Sequence, residues 1–187
     1  MPLFCPGAGQ ARRRAAVLLC LVSSSYLLSC SPTFNWRELR PQGTPLQVLM
    51  PCKPEHAVRS LPMAGAATEL NMHSCDTGGL SFAVAWADLG DPARAQVALA
   101  EWPRATLAAL HMDPAQADAP ALAWDAQVRG AQQVRGLNAQ GTGPQGRTVV
   151  VRAAYFSRGT QVYQAAVYGP AIPAEVSGTF FEAVQLP

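Results

Sequence analysis

The 187-residue sequence lacks an apolar run long enough to span a membrane stably. Its longest such run, "AAVLLCLVSSSYLL" at Ala15–Leu28, has 14 residues and would cover only about 21 Å as a helix. The hydrocarbon core of a bilayer is roughly 30 Å thick. The basic triplet Arg12-Arg13-Arg14 precedes this run. A basic segment followed by a short apolar run is typical of an export signal rather than of a membrane-spanning helix.

The sequence has little basic charge outside this signal. The whole chain has 14 lysine and arginine residues against 12 aspartate and glutamate residues. Three of the arginines lie in the signal, so 11 basic and 12 acidic side chains remain, for a formal net charge of −1. The pI of 8.4 for the whole chain therefore does not describe the exported part. Without a basic surface, nucleic acid is not an expected partner.

No spacing of nucleophile, histidine and acid predicts a catalytic site, and no cofactor is expected. Asp76-Thr77-Gly78 matches the aspartic-protease triplet, but that chemistry needs two carboxylates and the sequence has no second copy. The segment "GTGPQG" at 141–146 fits G-x-G-x-x-G, yet "RTVVV" follows it where a phosphate site needs a helix. We interpret both as turns. The prediction is a protein without enzymatic activity, with a small envelope hydrolase as an alternative.

A cysteine stands where the apolar run stops. Leu27-Leu28-Ser29-Cys30 resembles the lipobox of bacterial lipoproteins, with an apolar residue at −3 and a small residue at −1. The resemblance implies that residues 1–29 are a lipoprotein signal peptide and that Cys30 is acylated. Several acyl chains would anchor the protein stably in a bilayer. Ser31 stands directly after the lipidated cysteine, at the position that sorts bacterial lipoproteins between the two membranes. Because it is not aspartate, the resemblance implies the outer membrane, on the leaflet facing the periplasm. Plain secretion and an uncleaved helix are the alternatives.

Two cysteines remain in the exported part once Cys30 carries lipid. They are Cys52 and Cys75, and the oxidising periplasm favours a disulfide between them. On the loop-entropy model, closing a loop of about 24 residues stabilises the fold by roughly 3 kcal/mol.

The alternative is a metal-handling protein in which His56 and His73 join these cysteines. His73 and Cys75 are two residues apart and would point the same way from a strand. Together with Cys52 and His56 they would form a Cys₂His₂ set for Zn²⁺ or Cu⁺. Thiolate ligands would have to stay reduced, which the envelope opposes, so we predict the disulfide and no metal.

Hydrophobic alternation predicts an α+β domain with a single antiparallel sheet of about six strands and helices packed on it. Residues 30–45 are expected to form a lipidated tether, and residues 46–187 the periplasmic domain. Phe34 and Trp36 predict that the middle of the tether docks on this domain. The strands are predicted at 46–50, 67–75, 80–89, 133–140, 147–156 and 161–169.

Two helices are predicted against this sheet. Leu80–Leu89 has large residues on one face and alanines on the other, which predicts close helix packing on the alanine face. Asp91-Pro92 predicts the start of that helix, and Pro103 is expected to kink or split it. A closing helix would bury Phe180 and Phe181. The tryptophans Trp86, Trp102 and Trp124 are predicted to lie in the core.

The C-terminal part carries a resemblance to a known family. It reads R-x-x-Y-F-x-R-G-x-x-x-Y-Q, then a Gly-Pro turn and a helix with paired phenylalanines. This resembles the end of PsbP/Mog1-like domains. The segments "NWRE", "PCKP", "MHSCD" and "FAVAWADL" are similar to uncharacterised proteobacterial lipoproteins with that ending. The resemblance implies a PsbP/Mog1-like fold that binds or scaffolds an unknown envelope protein. It assigns no functional residue.

Overall fold

Nine strands and two α-helices make up the part of the chain that the structure describes. The structure is a computed structural model that describes residues 33–187, so the predicted signal peptide and Cys30 lie outside the described residues. The strands are β1 (Arg37–Leu39), β2 (Val48–Met50), β3 (Glu55–Met63), β4 (Ala66–Thr77), β5 (Leu80–Asp88), β6 (Ala123–Trp124), β7 (Gln133–Thr142), β8 (Thr148–Arg158) and β9 (Gln161–Gly169). The helices are α1 (Pro92–Ala109) and α2 (Ala174–Glu182), and two short 3₁₀ turns lie at Pro114–Asp118 and Pro120–Leu122.

Seven of the strands form the main sheet, in the order β3-β4-β5-β9-β8-β7-β6. All neighbouring strands are antiparallel. Helix α1 and the two 3₁₀ turns carry the chain from β5, the third strand in this order, to the far edge at β6, and hairpins then return it to β9 beside β5. Strands β1 and β2 pair separately as a two-stranded sheet. This arrangement confirms the α+β class and the antiparallel sheet with helices packed on it.

The strand count differs from the expectation of one sheet with about six strands. The sheet has a seventh strand, and β1 with β2 makes a second sheet. The long strand missing from the prediction is β3, at the sheet edge. Its sequence, "EHAVRSLPM", shows no apolar alternation because eight of its nine residues are exposed or half-buried, as at Val58, which is 50% exposed. It also contains Pro62, which sheets tolerate at an edge.

Helix α1 covers the alanine face of β5, as the alternation predicts. Ala87 packs there against Ala95 and Ala98 of α1 in one buried cluster. Asp91 caps the helix, since its carboxylate accepts a hydrogen bond from the backbone N–H of Ala93 at 2.8 Å. Small side chains on both elements allow this close approach.

The sequence predicts that Pro103 kinks or splits this helix, and the prediction of a split is wrong. Helix α1 continues from Pro92 to Ala109, and Pro103 is buried within it. Leu99 and Leu107, before and after the proline, are both buried against Tyr155 and its neighbours in the sheet. This packing holds the two halves in one helix despite the backbone hydrogen bond that the proline removes.

The opposite face of the sheet carries the larger core. Phe82 and Phe180 pack edge to face there, with ring centroids 5.4 Å apart. Phe34 and Trp36 pack edge to face against the same Phe82 at 6.4 and 6.2 Å. The described part of the expected tether therefore includes strand β1 and two docked aromatic rings. Residues Thr33–Pro187 form one compact unit.

Within residues 33–187, no helix combines the length and the hydropathy that a membrane crossing requires.

Candidate functional site

Cys52 and Cys75 form a disulfide, which confirms the predicted pairing. Their Cα atoms are 6.0 Å apart and the sequence separation is 23 residues. Cys75 lies on β4 opposite Phe82 of β5, and it is buried. The bond therefore ties the segment after β2 to the main sheet.

His56 and His73 lie directly opposite each other on β3 and β4. Their rings stack with centroids 4.5 Å apart, and His73 stacks in turn on Trp86 of β5 at 5.7 Å. Partial burial, and then the neighbouring His56, lower the pKa of His73. The unprotonated imidazole of His73 is therefore the form that this stack favours.

The Cys₂His₂ metal set does not form in this structure. The sulfurs of Cys52 and Cys75 are bonded to each other, so neither is a free thiolate. Among residues 33–187, no three or more His, Cys, Asp or Glu side chains come together as a metal-binding group. The four residues instead form two pairs, the Cys52–Cys75 disulfide and the stacked rings of His56 and His73.

The two motifs interpreted as turns each run from the end of a strand into a hairpin turn. Asp76-Thr77-Gly78 closes the β4–β5 hairpin, where Gly78 has φ +60° and a Cβ would come within 2.8 Å of the Phe34 ring. Thr77 donates a hydrogen bond to the Thr33 carbonyl at 2.5 Å. The "GTGPQG" segment spans the end of β7 and the turn into β8, with a backbone hydrogen bond from Gly143 to Arg147 at 2.8 Å.

A cleft between α2 and the sheet was not predicted from the sequence. Its volume is about 540 Å³, within the range of pockets that hold small molecules. Trp124, Phe181 and Val184 supply its apolar lining, and Arg152 enters from strand β8. Trp124, expected in the core, is only half-buried here because β6, which carries it, is a two-residue strand at the sheet edge.

Arg152 lies close to two aromatic rings. Its Cζ lies 4.2 Å from the ring centroid of Trp124 and 5.8 Å from that of Phe181. A guanidinium stacked on a tryptophan gains about 0.5–1 kcal/mol at a partly exposed site. The Trp124 ring is fixed in turn, because its Nε1–H donates to the Ala153 carbonyl at 3.0 Å and its ring meets Phe181 edge to face at 5.0 Å.

The charge of Arg152 has no partner in the part of the chain that the structure describes. It makes no ion pair there, and its Nε–H is shielded from solvent without a hydrogen-bond acceptor. A shielded donor without an acceptor is costly, more so when it carries charge. By contrast, Arg158 on the same strand donates to the carbonyls of Leu186 and Pro187.

No family model matches this chain, and no curated protein matches it. Among solved structures, it is similar to the crystal structure of the protein of unknown function PA94 from Pseudomonas aeruginosa. The identity is 16%, over 77% of this chain and 88% of that chain. The TM-score of 0.34 is too low for this similarity to support an inference.

The remaining charges around the cleft nearly cancel. Arg129 donates to the side-chain oxygen of Gln185, and Asp125 and Glu182 also line the opening. Two arginines and two carboxylates leave the cleft close to neutral overall. The cleft therefore combines aromatic walls with the guanidinium of Arg152, which has no ion-pair partner among the described residues.

Proposed function

We propose that this protein is a lipid-anchored component of the bacterial cell envelope that binds or scaffolds another envelope component without catalysing a reaction. Acylated Cys30 holds the chain on the outer membrane, and the domain faces the periplasm. The proposal also assigns the domain to the PsbP/Mog1-like fold. The β8–β9 hairpin, the Gly169-Pro170 turn and a helix with buried Phe180 support that assignment.

The observation that carries this proposal is the disulfide. Cys52 and Cys75 are the only cysteines that follow Cys30 in the sequence, and they are bonded to each other. Disulfides persist in oxidising compartments such as the periplasm and are rare in the bacterial cytosol. An export signal ending in "LLSC" directs the chain to that compartment, so the signal and the disulfide support the same location.

Metabolic labelling with an alkyne-tagged palmitate tests the anchor. The full chain should take up label, and Cys30→Ser should abolish it. Cys20→Ser is the matched control, because it changes the other cysteine of the apolar segment and should keep the label. Globomycin, which blocks lipoprotein signal cleavage, should accumulate a larger labelled precursor. Label that persists in Cys30→Ser would overturn the proposal.

Membrane fractionation on a density gradient tests the location. The protein should sediment with the outer membrane, and Ser31→Asp should shift it to the inner membrane. Crosslinking in intact cells, followed by identification of the captured species, then tests the scaffold role. Equal capture by the native chain and by a Cys30→Ser chain released from the membrane would argue against a role for the anchor.

A further inference from the structure

We propose that the cleft between α2 and β8 binds a small monocarboxylate with an apolar body, and that Arg152 binds its carboxylate. This inference goes beyond the envelope role and stands without it, because the cleft is formed entirely by residues 124–185. It rests on three features of the cleft: an unpaired cation, aromatic walls and an opening kept free by a glycine.

The unpaired guanidinium of Arg152 indicates that the ligand is an anion. Arg152 lines the cleft, stacks its guanidinium on Trp124 and has no carboxylate partner among residues 33–187. A guanidinium offers parallel N–H donors whose spacing matches the two oxygens of a carboxylate. A ligand carboxylate would therefore supply the acceptor that the protein itself does not.

The aromatic walls of the cleft indicate that the ligand also has an apolar body. Trp124 and Phe181 meet edge to face at 5.0 Å and border the same cleft as Arg152. Aromatic and aliphatic surfaces around a few convergent polar groups are the usual composition of a small-molecule site. An acetate ion would leave these aromatic side chains in contact with water, whereas a phenyl or alkyl group would bury their surface.

The other charges limit how many negative groups the ligand carries. Asp125 and Glu182 border the cleft, and Arg129 is already hydrogen-bonded to Gln185. A dianion would meet the two carboxylates, whose repulsion offsets the attraction of Arg152. The site therefore favours a single carboxylate over a phosphate monoester.

Gly178 keeps the opening free. It lies within helix α2 and borders the cleft. A Cβ placed there would meet only the Glu182 side chain, at 3.9 Å, so packing does not require glycine at this position. Glycine within a helix is less stable than alanine, and its presence here leaves room that a larger side chain would fill.

Calorimetric titration of the full chain, purified in mild detergent, tests the proposal with four probes. Phenylacetate is expected to bind. Phenylacetamide removes the charge, acetate removes the apolar body, and phenyl phosphate adds a second charge. Each should bind roughly tenfold more weakly than phenylacetate, the loss expected when a hydrogen bond to a charged group or a buried ring is missing. Equal binding of phenylacetamide would overturn the role of the cation, and tighter binding of phenyl phosphate would overturn the monocarboxylate class.

Two matched pairs of variants locate the binding. Arg152→Gln should weaken phenylacetate binding roughly tenfold or more, while Arg59→Gln, an exposed arginine on β3, should leave it unchanged. Gly178→Leu should block the cleft, while Thr179→Leu, on the same helix but not bordering the cleft, should retain binding. Leucine favours a helix, so folding is preserved in both variants. No heat of binding at millimolar phenylacetate, or full binding by Arg152→Gln or Gly178→Leu, would overturn the proposal. The labelling of Cys30 is unaffected by either result.

Discussion

His56 on β3 and His73 on β4 are directly opposed, with ring centroids 4.5 Å apart and an angle of 19° between their planes. Trp86 closes the stack on the far side of His73. Three rings from three neighbouring strands therefore form a continuous aromatic row near the disulfide. The row has a consequence for stability, because two imidazoles in contact cannot both be protonated without repulsion.

Stability should fall as the pH drops through the range in which an unfolded histidine protonates. Burial and His56 lower the pKa of His73 in the folded protein. Below about pH 6.5, the ordinary histidine pKa, His73 is protonated in the unfolded chain but still neutral in the folded protein. The free energy of unfolding should therefore decrease from about pH 6.5 down to the folded pKa and level off beneath it. Urea unfolding across this range measures the slope.

His73→Gln removes the titrating group and should reduce that slope. His56→Gln should reduce it in part, because the pKa of His73 rises towards its ordinary value once the like charge is gone. His111→Gln is the control, since His111 is exposed and its Nδ1 contacts only the Thr142 carbonyl. A slope unchanged in His73→Gln would show that another group governs the pH dependence.

Reduction of the disulfide should lower the free energy of unfolding by about 3 kcal/mol, because the unfolded chain regains the entropy of a loop whose ends are 23 residues apart in sequence. Urea titrations with and without dithiothreitol measure the difference. The double variant Cys52→Ser/Cys75→Ser should match the reduced protein and should not respond to dithiothreitol. A response in the double variant would mean that the reductant acts elsewhere.

Much of the fold could be predicted because local patterns fix it. The alternation in β5 identifies both of its faces, and Asp91-Pro92 marks the start of α1. The cysteine pairing was predictable from the two cysteines that follow Cys30 in the sequence and from the oxidising compartment that the export signal predicts. Strand β3 escaped prediction because, at the sheet edge, its side chains are not sorted into a buried and an exposed set.

The cleft could not be predicted because it depends on contacts that are distant in sequence. Arg152 lies among apolar residues in "RTVVVRAAYF" and shares its face with Ala154 and Phe156, which are buried. The sequence therefore showed one charged residue on the buried face of this strand. Only the structure shows that the rings of Trp124 and Phe181, from β6 and α2, both come close to its guanidinium.

Gly178→Ala should stabilise the protein by up to about 1 kcal/mol, the difference in helix propensity between the two residues. The added Cβ meets nothing closer than 3.9 Å. Gly136→Ala is the contrasting change, because a Cβ on this residue of β7 would lie 2.2 Å from the Trp124 carbonyl. It should destabilise the protein by about 1–3 kcal/mol, as overpacking does. Thermal and urea unfolding of both variants test the opposite signs.

Tyr155→Phe should cost about 1–2 kcal/mol of stability, because it breaks a buried hydrogen-bond cluster. The Tyr155 hydroxyl donates to Thr106 of α1 at 2.7 Å and accepts from Gln164 of β9 at 3.3 Å. Burial raises the pKa of this phenol above its ordinary value. Urea unfolding measures the loss, and the variant Tyr155→Phe/Thr106→Val, which removes the hydroxyls on both sides, should recover part of it. A loss below a few tenths of a kcal/mol would mean that the cluster does not hold α1 on the sheet.

Arg152→Met should leave the stability unchanged within about 0.5 kcal/mol or raise it, although Arg152 lies on the inward face of the sheet. A buried arginine that stabilises a fold forms an ion pair, and its removal leaves the partner's charge buried without compensation. Arg152 instead has a shielded Nε–H without an acceptor and no ion pair among the described residues. A methionine keeps the contact with Trp124 without that desolvated donor.

Arg158→Met is the matched control on the same strand. Its guanidinium donates to the carbonyls of Leu186 and Pro187 at 3.2 and 2.8 Å, so its loss should cost about 1 kcal/mol. Urea unfolding of the two variants side by side decides between the roles of the two arginines. If Arg152→Met loses as much stability as Arg158→Met, then Arg152 serves the fold, and the argument that its unpaired charge awaits a ligand fails.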